Sequence, residues 1–149
     1  MTAVMKRFTA LLLTVLTLMS PAAFAEGEIS VFVDGERVEF DVEPQIINDR
    51  TMVPMRRIFE KLGAEVEWVP DSQMIFSTKG AVCVLMQIGK SALAVKDFIS
   101  DSETRVELDC APLIADGRTL VPVRAVSEAF GLDVQWDGEA RSVLVTSRK

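Results

Sequence analysis

Residues 37–78 are written a second time at 105–146, with no gap needed to align them. Arg37-Val38-Glu39-Phe40-Asp41 returns as Arg105-Val106-Glu107-Leu108-Asp109. Arg50-Thr51-Met52-Val53-Pro54-Met55-Arg56 returns as Arg118-Thr119-Leu120-Val121-Pro122-Val123-Arg124, and Gly63…Val66…Trp68 as Gly131…Val134…Trp136. The two stretches share 16 identities in 42 positions. Such a period reads as two copies of one supersecondary unit, each too small to bury its apolar face alone. The matched residues are of kinds that build turns, caps and cores. They speak for architecture more than for activity.

Each copy reads the same way. Ile29 to Val33 is a strand leading into Asp34-Gly35, a dipeptide suited to a type I′ turn. Arg37 to Val42 then alternates, which puts Val38, Phe40 and Val42 inward, as Val106, Leu108 and Cys110 are in copy two. Pro44 and Pro112 end these strands, because proline cannot donate to a ladder. Asn48-Asp49 and Asp116-Gly117 are turn dipeptides. Pro54 and Pro122 suit the first helical position, where a missing N–H is no loss. Met55, Ile58, Phe59 and Leu62 form one helical stripe, and Val123, Val126 and Phe130 its counterpart. Gly63 and Gly131 fall just past the helix ends, where a left-handed residue closes them.

Alternating strands follow at Ala64 to Trp68 and Leu132 to Trp136, then return strands at Met74 to Thr78 and Ser142 to Thr146. Between the copies lie an apolar strand, Ala81 to Ile88, a Gly89-Lys90 turn and a strand from Ser91 to Val95. Lys96 to Thr104 reads as an irregular loop. The expected fold is α+β, an antiparallel sheet packed with two short amphipathic helices and built from a tandem strand-strand-helix-strand-strand repeat. Repeat one is placed at about 29–78, connecting strands at 79–96 and repeat two at about 98–146.

Residues 1–25 read as a cleavable signal peptide. Lys6-Arg7 form its positive region, Phe8 to Met19 its apolar stretch, and Ala23-Phe24-Ala25 its cleavage site. The apolar stretch is shorter than the ~20 residues that a membrane span requires. The expectation is secretion or a cell-wall, extracytoplasmic location, with no membrane span once the leader is gone. Residues 26–149 are enough for one domain. Removing Lys6 and Arg7 leaves 14 basic side chains against 22 acidic ones, a net charge of −8. So acidic a surface repels phosphate backbones, and nucleic acid is not an expected partner.

The inventory of reactive groups is short. The chain has no histidine and no tyrosine, which removes histidine-based triads, dyads and proton shuttles. Two cysteines, Cys83 and Cys110, are too few and too far apart in sequence to hold a transition metal with carboxylates alone. A disulfide between them and two free thiols stay equally open: export favours the bridge, whereas Cys110 sits at an apolar strand position. Asp71-Ser72-Gln73 and Asp137-Gly138-Glu139 lack the spacing of a calcium loop. Glu65, Glu67 and Asp133 read as a solvated face. No catalytic residue, metal ligand or cofactor is expected.

The repeated positions Arg50, Thr51, Pro54, Arg56, Gly63 and Trp68, with Arg118, Thr119, Pro122, Arg124, Gly131 and Trp136, therefore read as a structural motif. Arg50 and Arg118 are expected to tie each turn to a carbonyl or carboxylate. Arg56/Glu60 and Arg124/Glu128 have i, i+4 spacing for ion pairs. Trp68 and Trp136 lie on the apolar side of their strands and are expected in the core, with glycan stacking as the alternative.

Ile46-Ile47-Asn48, Arg50 to Arg56, Glu60, Leu62-Gly63-Ala64, Val66 and Trp68 together resemble the copper amine oxidase N-terminal-like, or stalk, domain family. The second copy resembles it through Arg118-Thr119-Leu120-Val121-Pro122-Val123-Arg124 and departs at Ala115, Asp116 and Leu132. The resemblance implies an exported accessory module of bacterial cell envelopes, often found beside hydrolase or surface-layer domains. It does not imply amine oxidation, whose copper ligands and quinone need the histidine and tyrosine that this chain lacks. The expected function is that of an exported, non-catalytic binding module whose partner is an unknown protein or cell-wall component. The alternatives are an exported peptide- or glycan-binding factor and, behind it, a carboxylate-dependent wall hydrolase.

Overall fold

Each Arg-Thr-x-Val-Pro string folds as a hairpin strand that runs straight into a helix. The computed structural model describes residues 28–149; the signal peptide read over 1–25 lies outside the described residues. In chain order the elements are β1 (Ser30–Val33), β2 (Glu36–Arg37), β3 (Gln45–Ile47), β4 (Arg50–Pro54), α1 (Met55–Lys61), β5 (Glu65–Val69), β6 (Met74–Lys79) and β7 (Val82–Gln87). They continue with β8 (Ala92–Asp97), β9 (Ser102–Glu107), β10 (Leu113–Ala115), β11 (Arg118–Pro122), α2 (Val123–Ala129), β12 (Leu132–Asp137) and β13 (Ser142–Ser147). The class is α+β, dominated by strands.

The turn chemistry acts as the residue types dictate. Asn48 and Asp49 both take positive φ (51° and 59°) to reverse β3 into β4, and Asp116 and Gly117 do the same between β10 and β11. Pro54 and Pro122 sit one position earlier than expected, at the N-caps and as the last residues of β4 and β11. A residue without an N–H is tolerated at a ladder's end as well as in a helix's first turn. Gly63 then closes α1 at φ +79°. Its N–H reaches Glu60 O at 3.1 Å while that of Ala64 reaches Phe59 O at 2.8 Å, which satisfies two carbonyls that the helix end would leave open.

The strands form three sheets, ordered β12-β13-β1-β2, β10-β11-β4-β3 and β5-β6-β7-β8-β9. That corrects the single antiparallel sheet expected. The copies interleave: the first sheet joins β1 and β2 of copy one to β12 and β13 of copy two, and the third joins β5 and β6 to β8 and β9. At the centre of the second sheet β4 pairs with β11, with Val53 opposite Val121, Met52 opposite Pro122 and Pro54 opposite Leu120. Positions 68 apart thus exchange places across this pair. One pairing is parallel, β1 with β13, from Ser30 opposite Ser142 to Val33 opposite Val145. The chain itself serves as the long crossover that a parallel pair requires.

Two segments differ from expectation. The Arg37–Val42 alternation persists as burial (Val38 buried, Glu39 and Asp41 exposed), but ladder pairing ends at Arg37. The loop expected over Lys96 to Thr104 is only Phe98 to Asp101, flanked by the paired strands β8 and β9.

One large core lies between the sheets and helices. Val31, Val53, Ile58, Phe59, Ile75, Val84, Val121 and Val126 are fully buried in it. Phe59 meets Phe130 edge to face, with ring centres 6.2 Å apart. Met52, Leu120 and Cys110 form a second, smaller cluster. Where copy one has Phe59, copy two has Ser127, wholly buried with an unpartnered hydroxyl.

Paired clefts and the candidate functional site

The arginines that open β4 and β11 each donate to a carbonyl of their own turn, Asp49 at 3.1 Å and Gly117 at 3.3 Å, and to a carboxylate of the other copy. Arg50 Nε donates to Asp109 at 3.0 Å, and Arg118 Nε donates to Asp41 at 2.8 Å. Asp41 and Asp109 are themselves 68 residues apart, so the two ion pairs are reciprocal ties between the copies. Arg118 holds the Asp41 carboxyl below the usual carboxylate range, chiefly by its hydrogen bond. Both aspartates belong to the repeated Arg-Val-Glu-x-Asp string, whose duplication is the sequence signal for this tie.

A cleft lies beside each tie. The smaller, of about 590 Å³, is lined by Asp41, Arg118, Thr119, Pro54, Arg56, Arg57, Glu60 and Trp68 among others. Each of its ten lining residues has its counterpart 68 positions away in the larger cleft, of about 800 Å³. The difference in size has a sequence cause. On α1 the positions facing these clefts include Arg57, and the next turn carries Lys61, tied to Glu36; α2 has Ala125 and Ala129 at those places. Two long basic side chains are replaced by methyl groups. The larger cleft gains an apolar lining of Val106, Leu108, Cys110, Ala125, Ala129 and Val134.

Trp136 stands in this larger cleft, 42 % exposed, which corrects its expected place in the core. Trp68, by contrast, is half-buried and packs against the main core. Strand alternation decides which side of a sheet an indole takes, not what covers it. Ile46 of β3, 46 % exposed, lies on the same cleft. Arg124 braces the wall by donating to Glu128 at 3.3 Å and to the Val134 carbonyl at 3.0 Å. The matching pair in copy one is not formed: Glu60 is engaged by Arg57 at 3.9 Å instead of Arg56.

The cleft also has an architectural signature. It is bordered by β12, β3 and β9, through Trp136, Ile46 and Thr104, and each of these is the last strand of its sheet. Residues of three edge strands therefore share one cleft. Three of the carboxylates lining it, Asp109, Glu128 and Glu107, are engaged by Arg50, Arg124 and Arg105. Among the described residues no three metal-ligating side chains gather.

The remaining motif residues have structural places. Thr51 and Thr119 are half-buried in β4 and β11, and Gly63 and Gly131 take the positive φ that the helix ends require. Cys83 and Cys110 are both free thiols, the first half-buried in β7 and the second buried beside Met52 and Leu120. Burial pushes the Cys110 thiol up from its ordinary range. Among the described residues no helix is long and apolar enough to cross a membrane.

Comparison with known proteins agrees with this architecture. The chain is 28 % identical over 121 residues to a protein of Brevibacillus choshinensis named "Protease inhibitor", a match covering 78 % of this chain and 34 % of that relative. The chain thus spans about a third of the relative's length. The model of the copper amine oxidase N-terminal domain matches residues 32–147, nearly all of the described chain, and the protein belongs to that family.

Proposed function

We propose that this chain is an exported, non-catalytic accessory module of the bacterial cell envelope that binds a protein partner in the larger cleft. The observation that carries the reading is that residues of β12, β3 and β9, all edge strands, share a cleft holding a half-exposed tryptophan. Free edges offer backbone hydrogen bonds to an extended segment, and an aromatic beside them offers an anchor for its side chains. The leader over residues 1–25 supports export, and the lack of histidine supports a non-catalytic role.

The relative's printed name favours a second, narrower reading: that the bound partner is a protease and that binding inhibits it. A glycan stacked on Trp136 is the alternative for the same cleft.

The two clefts provide an internal control. Residues 26–149 would be used to capture partners from an envelope fraction, beside the variants Ala125→Arg and Arg57→Ala. Ala125→Arg refills the larger cleft with the side chain that the smaller one holds, and it is expected to abolish capture. Arg57→Ala is expected to leave capture intact. Retention of the partner by a folded Ala125→Arg variant would exclude the larger cleft as the binding site. Capture of purified wall polysaccharide in place of protein would transfer the assignment to the glycan reading.

A further inference from the structure

Two hairpins of this chain turn in different ways. β1 and β2 are joined by Asp34-Gly35, whereas β8 and β9 are joined by the four residues Phe98-Ile99-Ser100-Asp101. This longer turn presents Phe98 and Ile99 to solvent, 65 % and 86 % exposed. They are the two most exposed large apolar side chains among the described residues. Adjacent apolar side chains this far from any core do nothing for folding, and such a patch marks a contact surface.

The turn is also held in one shape. Asp97 Oδ1 accepts from the N–H of Ile99 at 2.8 Å and from that of Ser100 at 3.2 Å. Lys96 Nζ donates to Asp101 at 2.7 Å, and the Ser100 and Ser102 hydroxyls lie 2.8 Å apart. The Phe98 N–H donates back to the Ala81 carbonyl at 2.9 Å. β8 and β9, six residues each, carry the turn at the rim of the third sheet. A protruding, prearranged aromatic is what a concave apolar pocket selects, because little freedom is lost on docking. The surroundings oppose a lipid surface: Asp97, Asp101 and Glu103 flank the tip, and the exported chain carries a net charge of −8.

Resting on the protease reading above, we infer that the Phe98-Ile99 turn is the segment that blocks the protease, with Phe98 seated in an apolar specificity pocket. The target class is an endoprotease selective for large uncharged side chains. The turn can occupy such a pocket without becoming a substrate. Asp101 sits at φ 53°, and the Asp97 bonds close the chain tightly just where cleavage would require it to extend.

The test uses residues 26–149 against chymotrypsin and subtilisin, whose pockets accept large apolar side chains, and against trypsin, whose pocket carries a carboxylate. Inhibition of the first two and not of trypsin is expected. The Phe98→Ser/Ile99→Ser double variant, altered only at exposed positions, should keep its unfolding temperature. It should weaken inhibition by about 100-fold, on the scale of an aromatic anchor's loss. Equal inhibition by the double variant would overturn the assignment of the turn while leaving inhibition intact. Cleavage after Phe98 during the assay would also overturn it, since the turn would then be a substrate. Failure of the parent to inhibit any of the three would remove the protease reading itself, and this inference with it.

Discussion

Val53 lies opposite Val121 in the β4–β11 ladder, and the two valines hold the same place in the repeated stretch. The contacts beside this pair therefore come in exchanged form, Arg50 reaching Asp109 as Arg118 reaches Asp41. The copies are buttoned to each other across this line. Two clefts of shared plan but unequal filling follow from the same relation.

The Asp41–Arg118 tie should make part of the stability depend on acid. Hydrogen bonding from Arg118 places the folded Asp41 pKa below its ordinary 3.8. That contribution is complete above pH 3.8 and is lost as pH falls through the lower folded value. Asp41→Asn should unfold at a lower temperature than the parent at pH 7, and the gap should close between pH 4 and pH 2. Thermal scans across that range measure it; a gap that widens on acidification would contradict the tie.

The two tryptophans should not be interchangeable. Trp68→Ala removes a ring packed on the core and should lower stability by about 3 kcal/mol. Trp136 is 42 % exposed, and its loss should lower stability by no more than about 1 kcal/mol. Urea unfolding of both variants decides this. Equal losses would mean that the larger cleft is closed in solution.

Ser127 is the position where removing a polar atom should do no harm. Its hydroxyl is fully buried without a partner, so Ser127→Ala relieves a desolvated group and leaves almost no cavity. Stability should be unchanged or raised by up to about 1 kcal/mol. A clear loss in calorimetry would contradict an unpartnered hydroxyl at this position.

The thiols should be distinguishable by rate. Cys110 is 4 % exposed with its pKa pushed up by burial, while Cys83 is only half-buried. Alkylation at pH 8 should modify Cys83 first in the folded protein, and both residues in denaturant without reductant. Recovery of neither thiol after denaturation would demonstrate a bridge between them.

Much of the local structure was readable in advance. Gly63 and Gly131 end the helices as their lack of a side chain permits, at φ +79° and +84°. The turn dipeptides Asn48-Asp49 and Asp116-Gly117 reverse the chain where they stand. The partnering of strands was not readable, because alternation records which side of a strand is buried and is identical for parallel and antiparallel neighbours. Hence β1 beside β13, and the interleaving of the copies, appear only in three dimensions. The candidate site was hidden for a related reason. Trp68 and Trp136 look alike in sequence, and the clefts beside them differ on another element, where Arg57 lines the smaller and Ala125 and Ala129 the larger.

The parallel β1–β13 pair has a mechanical consequence. The chain enters it at Ser30 and leaves it at Ser147, at opposite ends of two strands running the same way. Traction on the two chain ends would load this seam in shear. Its bonds, among them Ser30 N–H to the Arg141 carbonyl at 3.1 Å and Asp34 N–H to that of Val145 at 2.8 Å, would share the strain and have to rupture together. A module tethered on both sides would keep its cleft shaped under tension until that seam gave way.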